Sequence, residues 1–176
     1  MRKFKRIDLT EATEDYFLKV GEEAYISFSN VTQVPLRIAT QDGTYYEMHI
    51  IPANTGGTGG GTSAPIYLYP NNTTYSGAFY FAQPYRSAGS FGADYTQLNA
   101  FRVGWSFICN TSWITNRTQY KNIRSVASSY GVSGTFPASG AGSTDWRDTT
   151  TEWTSLGTVV FPQSTTGEIL VRRLRW

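Results

Sequence analysis

The chain has 176 residues and a mass of 19.6 kDa, the size of one ordinary domain. Only 16% of its residues are charged, 15% are aromatic and Thr occurs 23 times, which excludes a long-helix protein rich in Ala, Glu, Lys and Leu. A net charge of +2 is too small for a protein that wraps nucleic acid, so no nucleic-acid partner is expected. The composition indicates an all-β, loop-rich domain.

The N-terminal segment differs from the rest in charge. Six of the 13 acidic residues lie in the first 23 positions, whereas Asp94 is the only acid between Met48 and Thr144. Because residues 1–15 have little apolar periodicity, the sequence predicts an extended N-terminal arm over 1–15 and a single domain over 16–176. Two interpretations stay open for the arm: a solvated polar segment, or electrostatic docking on a neighbouring copy.

Several short strands are expected after the arm. Strands are predicted over 16–20 and 24–30, the second because apolar residues alternate with Ser. A hairpin is predicted over 34–51, where two strand-like runs flank Gln41-Asp42-Gly43 and Asp-Gly supplies the positive φ angles of a tight turn. In its second run, Tyr46, Met48 and Ile50 alternate with Tyr45, Glu47 and His49.

The remaining two thirds of the chain continue the β pattern. A flexible Gly-rich loop is predicted over 53–64, followed by strands over 65–69 and 77–83. The clearest strand is predicted over 98–110, the stretch 111–134 stays ambiguous between strand and helix, and 131–144 is predicted as a loop. Two closing strands are predicted over 156–161 and 168–174. About eight or nine short strands predict a β-sandwich, jelly-roll-like in its connections.

The inventory of catalytic and metal-binding side chains is small. His49 and Cys109 are the single histidine and cysteine, too few for a zinc site within one chain. Strand phasing places Cys109 on the presumed core face and His49 on the opposite face from Met48, which argues against a Cys–His pair. We therefore expect no enzyme, no cofactor and no metal.

One acidic cluster, formed by Asp145, Asp148 and Glu152, has three interpretations. It is a polar loop, a set of oxygen ligands for a cation such as calcium, or a glycosidase pair. The polar loop is favoured because the spacing does not match a helix-loop-helix calcium loop.

The aromatic residues suggest binding. Residues in or beside loops can stack on sugar rings or anchor a protein interface, and they can equally cap the core. The candidates for contact with a glycan or protein partner are Tyr67, Tyr69, Trp113, Trp146 and Trp153.

Targeting signals are weak. The start Met1-Arg-Lys-Phe-Lys-Arg resembles a signal peptide, but Ile7-Asp8-Leu9-Thr10-Glu11 follows where an apolar run should be. No stretch approaches the ~18 apolar residues of a membrane helix, so no membrane insertion is expected. A single cysteine fits synthesis in a reducing cytoplasm.

The C-terminal segments Trp153–Pro162 and Gly167–Leu174 consist of a β run, a Phe-Pro stop, a Gly turn and a second β run ending in arginines. In this pattern, and in Leu18–Phe28 and Gly43–Glu47, the chain resembles small virion proteins of tailed bacteriophages. The resemblance implies a non-enzymatic β-sandwich that works in assembly on the particle, as a capsid decoration (cement) protein or a tail-fibre or tail-tip module. Such a protein is located in the virion and made in the host cytoplasm.

The expected partners are further copies of the chain, with a trimer favoured, and another virion protein. Extended ends add to neighbouring sheets by main-chain hydrogen bonding, and Arg and Trp are favoured at interface hot spots. The alternative for the C-terminal end is an edge strand kept soluble by its charge. The alternative function is a carbohydrate-binding or host-receptor adhesin. The candidate interface residues are Arg2, Lys3, Phe4, Arg6, Arg172, Arg173, Arg175 and Trp176.

Overall fold

A computed structural model describes residues 4–41, 43–55, 63–72, 79–82, 97–102, 106–115, 121–130, 138–146 and 152–174. Most of these residues lie in β-strands and none lies in an α-helix, which confirms the all-β class. Within these ranges, no helix has the length and apolar character needed to cross a membrane.

Twelve strands and one short 3-10 turn occur in the described part of the chain. In chain order the strands are β1 (Lys5–Asp8), β2 (Tyr16–Phe17), β3 (Glu22–Pro35), β4 (Ile38–Ala39), β5 (Thr44–Thr55), β6 (Ser63–Tyr69), β7 (Phe79–Ala82), β8 (Gln97–Arg102), β9 (Ser106–Thr115), β10 (Lys121–Tyr130), β11 (Ala138–Trp146) and β12 (Thr158–Leu174). The 3-10 turn, Pro70–Asn72, follows β6.

Ten of these strands form one sheet, with the order β1-β3-β12-β5-β9-β10-β11-β7. Strand β6 pairs with β12 and with β8, so these two strands form a side branch. The β1–β3 ladder is parallel and the other ladders of this sheet are antiparallel. Strands β2 and β4 form a separate parallel pair.

The long C-terminal strand β12 is the centre of this arrangement. One side pairs with β3, while the other pairs with β6 at Thr158–Val160 and with β5 from Thr165 onward. The register slips between Val160 and Thr165, which marks a bulge. The sheet forks at this bulge, and β8 of the side branch lies close to β10 and β11 without pairing with them.

The core consists of apolar rows that cross β3, β12 and β5. Alternate side chains of a strand point to the same face, so residues paired in register build a continuous apolar surface. All members of two such rows are at most 3% exposed. The rows are Ile26–Ile169–Ile50 and Ala24–Val171–Met48.

The predicted hairpin over 34–51 is wrong. Gly43 has the expected positive φ of 69°. However, β3 ends at Pro35 and β12 lies between β3 and β5, so the two runs do not pair. The physical reason is that β12 offers both runs an apolar partner, with Val159 opposite Val34 and Ile169 opposite Ile50.

Three predictions for the C-terminal half are also corrected. The single strand predicted over 98–110 corresponds to two strands, β8 and β9, which pair with different neighbours. The two closing strands are one bulged strand, β12. Residues 138–144, predicted as a loop, belong to β11, and the ambiguous stretch 121–130 forms β10. Ser, Gly and Ala have weak intrinsic strand preference, and here pairing with neighbouring strands overrides it.

The N-terminal segment is part of the sheet, in contrast to the predicted extended arm. Strand β1 pairs with Glu22–Tyr25 of the same chain. Ile7 packs against the core, and the Leu9 side chain that follows is only 6% exposed. Residues 1–3 lie outside the described residues. Residues 5–9 therefore belong to the sheet and its core.

The 3-10 turn holds the segment that leads into β12. The Asn71 side-chain amide donates a hydrogen bond of 2.8 Å to the Glu152 carbonyl. Its oxygen accepts hydrogen bonds from the backbone N–H groups of Thr154, at 2.8 Å, and Ser155, at 3.0 Å. One side chain thus satisfies three backbone groups of a segment 81 to 84 residues away in sequence.

Candidate interface at the sheet edge

The face of the sheet opposite the core carries a row of alternating charges. Arg6 of β1 lies opposite Glu23 of β3, Glu23 lies opposite Arg172 of β12, and Arg172 lies opposite Glu47 of β5. Because residues in register point to the same side, the four side chains form one plus–minus row across four neighbouring strands. We call these four residues the charged row.

Glu23 links the chain's first and last strands within this row. Its side chain is 8% exposed, and its Oε2 accepts a hydrogen bond of 2.6 Å from Arg172 Nε. Its Oε1 lies 3.4 Å from Arg6 Nη2. Arg172 is 30% exposed and Arg6 is 59% exposed. Charge-assisted bonds strengthen as water is excluded, so the Arg172 contact is the stronger one and Arg6 keeps much of its guanidinium in solvent.

Aromatic rings orient the arginines of both strands. The Arg6 guanidinium carbon lies 5.0 Å from the Tyr25 ring centroid, and that of Arg172 lies 4.9 Å from the Phe4 centroid. The Tyr25 hydroxyl in turn donates a hydrogen bond of 3.0 Å to Glu168. Such cation–π contacts are worth about 0.5–1 kcal/mol at exposed sites, so they mainly fix side-chain direction.

Arg173 lies on the other face and ties β12 to the β2 region. It donates hydrogen bonds to the Leu18 carbonyl, at 3.0 Å, and to Gln41 Oε1, at 3.3 Å. Its guanidinium carbon lies 4.8 Å from the centroid of Phe17, a ring that is 42% exposed. Two neighbouring arginines of one strand therefore secure opposite sides of the sheet.

Glu22 secures the turn before β3. Its side chain is 9% exposed, lies 3.6 Å from Lys5 Nζ, and accepts hydrogen bonds from the Lys19 backbone N–H and the Tyr16 hydroxyl. The Lys19 N–H is the largest of the causes that hold the pKa of Glu22 below its ordinary value of 4.5. In β1, hydrogen bonding from Thr10 likewise lowers the pKa of Asp8.

We expect this Glu22 contact to make stability fall in acid. A carboxyl whose folded pKa is lowered contributes its full stabilisation above the unfolded pKa, and that contribution is lost as pH falls through the folded pKa. Urea unfolding between about pH 6 and about pH 3 should therefore show a smaller loss of stability in Glu22→Gln than in wild type. Glu14→Gln, at an exposed acid, is the control. An equal loss in Glu22→Gln and wild type would contradict the assignment.

The structure brings together three of the predicted interface residues. Phe4, Arg6 and Arg172 lie together on the face of the sheet that carries the charged row. Arg173 lies on the opposite face. Sequence reasoning missed Glu23, although two adjacent acids at the start of an alternating strand were a signal. The other predicted residues, Arg2, Lys3, Arg175 and Trp176, lie outside the described residues.

The predicted aromatic contacts divide into distinct settings. Tyr67 and Tyr69 are partly exposed on one side of β6, with ring centroids 5.9 Å apart and planes within 5°. Trp113 lies in register with Tyr46 and Ile123, and Trp146 with Lys121 and Phe79.

Trp153 does not belong among the predicted glycan or protein contact residues. It is 2% exposed and belongs to the core, so no ring face is open to a sugar or a partner. Its burial agrees with the core alternative.

The predicted acidic cluster is only partly described. Asp145 lies in β11 opposite Asn122 and Tyr80, Glu152 is exposed, and Asp148 lies outside the described residues. No group of three or more His, Cys, Asp or Glu side chains arranged to hold a metal occurs in the part of the chain that the structure describes.

The single histidine and cysteine are on different rows. His49 Nε2 lies 3.8 Å from Glu47 on the charged face, and Cys109 lies in register with the buried Ile50. No protein-family model, curated protein or solved structure matches this chain.

Proposed function

We propose that this chain is a non-enzymatic structural component of a tailed-bacteriophage virion that oligomerises on the particle surface. It acts there as a capsid decoration protein or as a tail-fibre or tail-tip module, bound to another virion protein. The observation that carries the proposal is the edge strand β1, which the charged row and Ile7 fix to the body of the sheet. A fixed edge strand with outward-pointing main-chain groups is suited to strand addition between subunits.

The fold that we propose for this role is a β-sandwich with jelly-roll-like connections. The forked sheet supports it, because β5 and β6 pair with different parts of the same edge of β12, and each begins a separate branch of the sheet. The β8 strand of one branch lies against β10 and β11 of the other without pairing, as strands of facing layers do.

Reconstitution on particles tests the assembly role. Particles of a phage from which this gene has been deleted are mixed with purified chain and sedimented. We expect the chain to co-sediment with these particles at a saturating ratio, and not with particles that already carry it. Chain that stays in the supernatant at every ratio would contradict the proposal.

The second candidate function is a glycan-binding adhesin, favoured by the Tyr67–Tyr69 ring pair. Partly exposed parallel rings on one strand offer an apolar platform for a sugar ring. Tyr67→Ala and Tyr69→Ala should then abolish binding of the purified chain to host surface glycans, whereas Tyr45→Ala should not. Binding that depends on these rings, without particle association, would favour the adhesin over the virion role.

A further inference from the structure

The outer edge of β1 has a definite hydrogen-bonding pattern. The Lys5 N–H donates to the Gly21 carbonyl at 2.9 Å and the Leu9 N–H donates to the Tyr25 carbonyl at 2.8 Å. Alternate residues of a strand in a parallel ladder point their main-chain groups to the same side. Residues 5, 7 and 9 therefore bond to β3, and Arg6 and Asp8 direct both N–H and C=O away from it.

Charge on this edge is arranged in the same period. Arg6 and Asp8 share the charged face, while Ile7 between them packs against the core. Strand β1 ends the sheet order, so among the described strands only β3 pairs with it. The edge therefore carries one positive and one negative side chain. Each belongs to a residue whose main-chain N–H and C=O groups point away from β3.

We propose that β1 pairs antiparallel with β1 of a second copy of this chain, with Arg6 opposite Asp8 of the partner and the two Ile7 residues facing each other at a two-fold axis. This names the partner for the assembly role proposed above and rests on it. The pairing is isologous, joins two sheets into one and closes an exposed edge.

The register follows from the geometry. A two-fold axis normal to the sheet places the core faces of the two copies on the same side of the joined sheet. Facing residues must therefore both have even numbers or both have odd numbers, because side chains alternate between the two faces along a strand. Placing Arg6 opposite Asp8 satisfies this condition and puts the outward N–H and C=O groups of both residues in hydrogen-bonded positions. Shifting the register by one pair sets Arg6 against Arg6 or Asp8 against Asp8, which repel.

Space and solvation at both side chains fit this pairing. An open groove of about 520 Å³ borders Asp8 and Tyr25, so the Asp8 carboxylate faces solvent instead of packed protein. Arg6 is 59% exposed despite its contact with Glu23, which leaves guanidinium N–H groups for a second carboxylate.

Charge reversal tests the register by sedimentation equilibrium. A contact this small is expected to be weak, so concentrations up to about 1 mM are needed. Wild type should show a monomer–dimer equilibrium, and Arg6→Glu and Asp8→Arg should each weaken it roughly 30-fold or more, because both symmetric pairs become repulsive. An equimolar mixture of the two variants should restore dimerisation, since each then meets the opposite charge. Glu11→Arg, an exposed acid beyond β1, should dimerise like wild type.

Cross-linking provides a readout that does not alter charge. In a Cys109→Ser background, Ile7→Cys should form an intermolecular disulfide on mild oxidation, because facing residues at this axis bring their Cβ atoms within disulfide range. Arg6→Cys, which would face itself only in the shifted register, should cross-link far less. Thermal unfolding of every variant identifies any change that merely destabilises the monomer.

Three results would overturn the pairing: wild type that stays monomeric or forms trimers over the whole range, a variant mixture no better than its components, or preferential cross-linking through Arg6→Cys. Particle association is measured separately, so these failures would leave the virion role standing and remove only its dimer contact.

Discussion

Replacing Gly157 with alanine should lower the free energy of unfolding by about 2–5 kcal/mol, the sum expected for a positive φ and an overpacked site. Gly157 has a φ of 80° just before β12, and an added Cβ would lie 1.8 Å from the Tyr69 carbonyl oxygen and 2.7 Å from its carbon. These atoms belong to the backbone of β6, which pairs with β12 at Thr158. The clash can therefore be relieved only by moving two paired strands apart.

Gly21→Ala separates the steric clash from backbone strain. Gly21 has a φ of 89°, but no atom lies within 4 Å of a built Cβ, so its substitution should cost about 1–2 kcal/mol. Urea unfolding followed by tryptophan fluorescence measures both variants. Equal losses in Gly157→Ala and Gly21→Ala would contradict the close approach of β6 to the start of β12.

Asn71→Ala should cost about 2–3 kcal/mol, because each of the three strong side-chain hydrogen bonds contributes about 1 kcal/mol. The affected backbone groups belong to Glu152, Thr154 and Ser155, which flank the buried Trp153. Losing the side chain leaves them without these bonds and loosens the segment that places Trp153 in the core. The change should appear as a lower unfolding midpoint and altered tryptophan fluorescence.

Two variants sharpen the Asn71 result. Asn71→Asp keeps the bonds accepted from Thr154 and Ser155 but loses the one donated to Glu152, so its loss should be intermediate. Asn30→Ala is the matched control, because Asn30 also has a positive φ of 56° and its bond to Thr166 comes from its backbone N–H. An Asn71→Ala loss no larger than that of Asn30→Ala would show that the side chain does not hold this segment.

The sequence was most informative where apolar residues alternate beside polar ones. The alternation of Tyr46, Met48 and Ile50 predicted the buried face of β5 correctly, and Ile26 did the same for β3. Pairing partners were beyond reach, because β12 lies more than 100 residues away from the strands it separates and local turn chemistry at Gly43 favoured a hairpin. Local pattern fixes a strand's face, whereas long-range apolar matching fixes its neighbour.

The sequence predicted the arginines of the candidate interface but not its glutamate. Arg6 and Arg172 stood out as charged ends, but only the register shows that Glu23 lies between them. Trp153 was chosen as a contact residue for its loop-like surroundings, but it is buried and does not belong to a contact surface. Asn71 holds the segment around it by a hydrogen bond from the Ser155 N–H. The role of Asn71 had no sequence signal beyond a turn-favouring Pro-Asn pair.

Quantitative mass spectrometry of purified virions tests the structural role most directly. Particles are purified by density gradient, washed in high salt and compared with the clarified lysate that remains. A virion component should be present in the washed particles at a reproducible ratio to the major particle protein and should be enriched over the lysate. Abundant chain in the lysate with none retained on washed particles would contradict the proposed function.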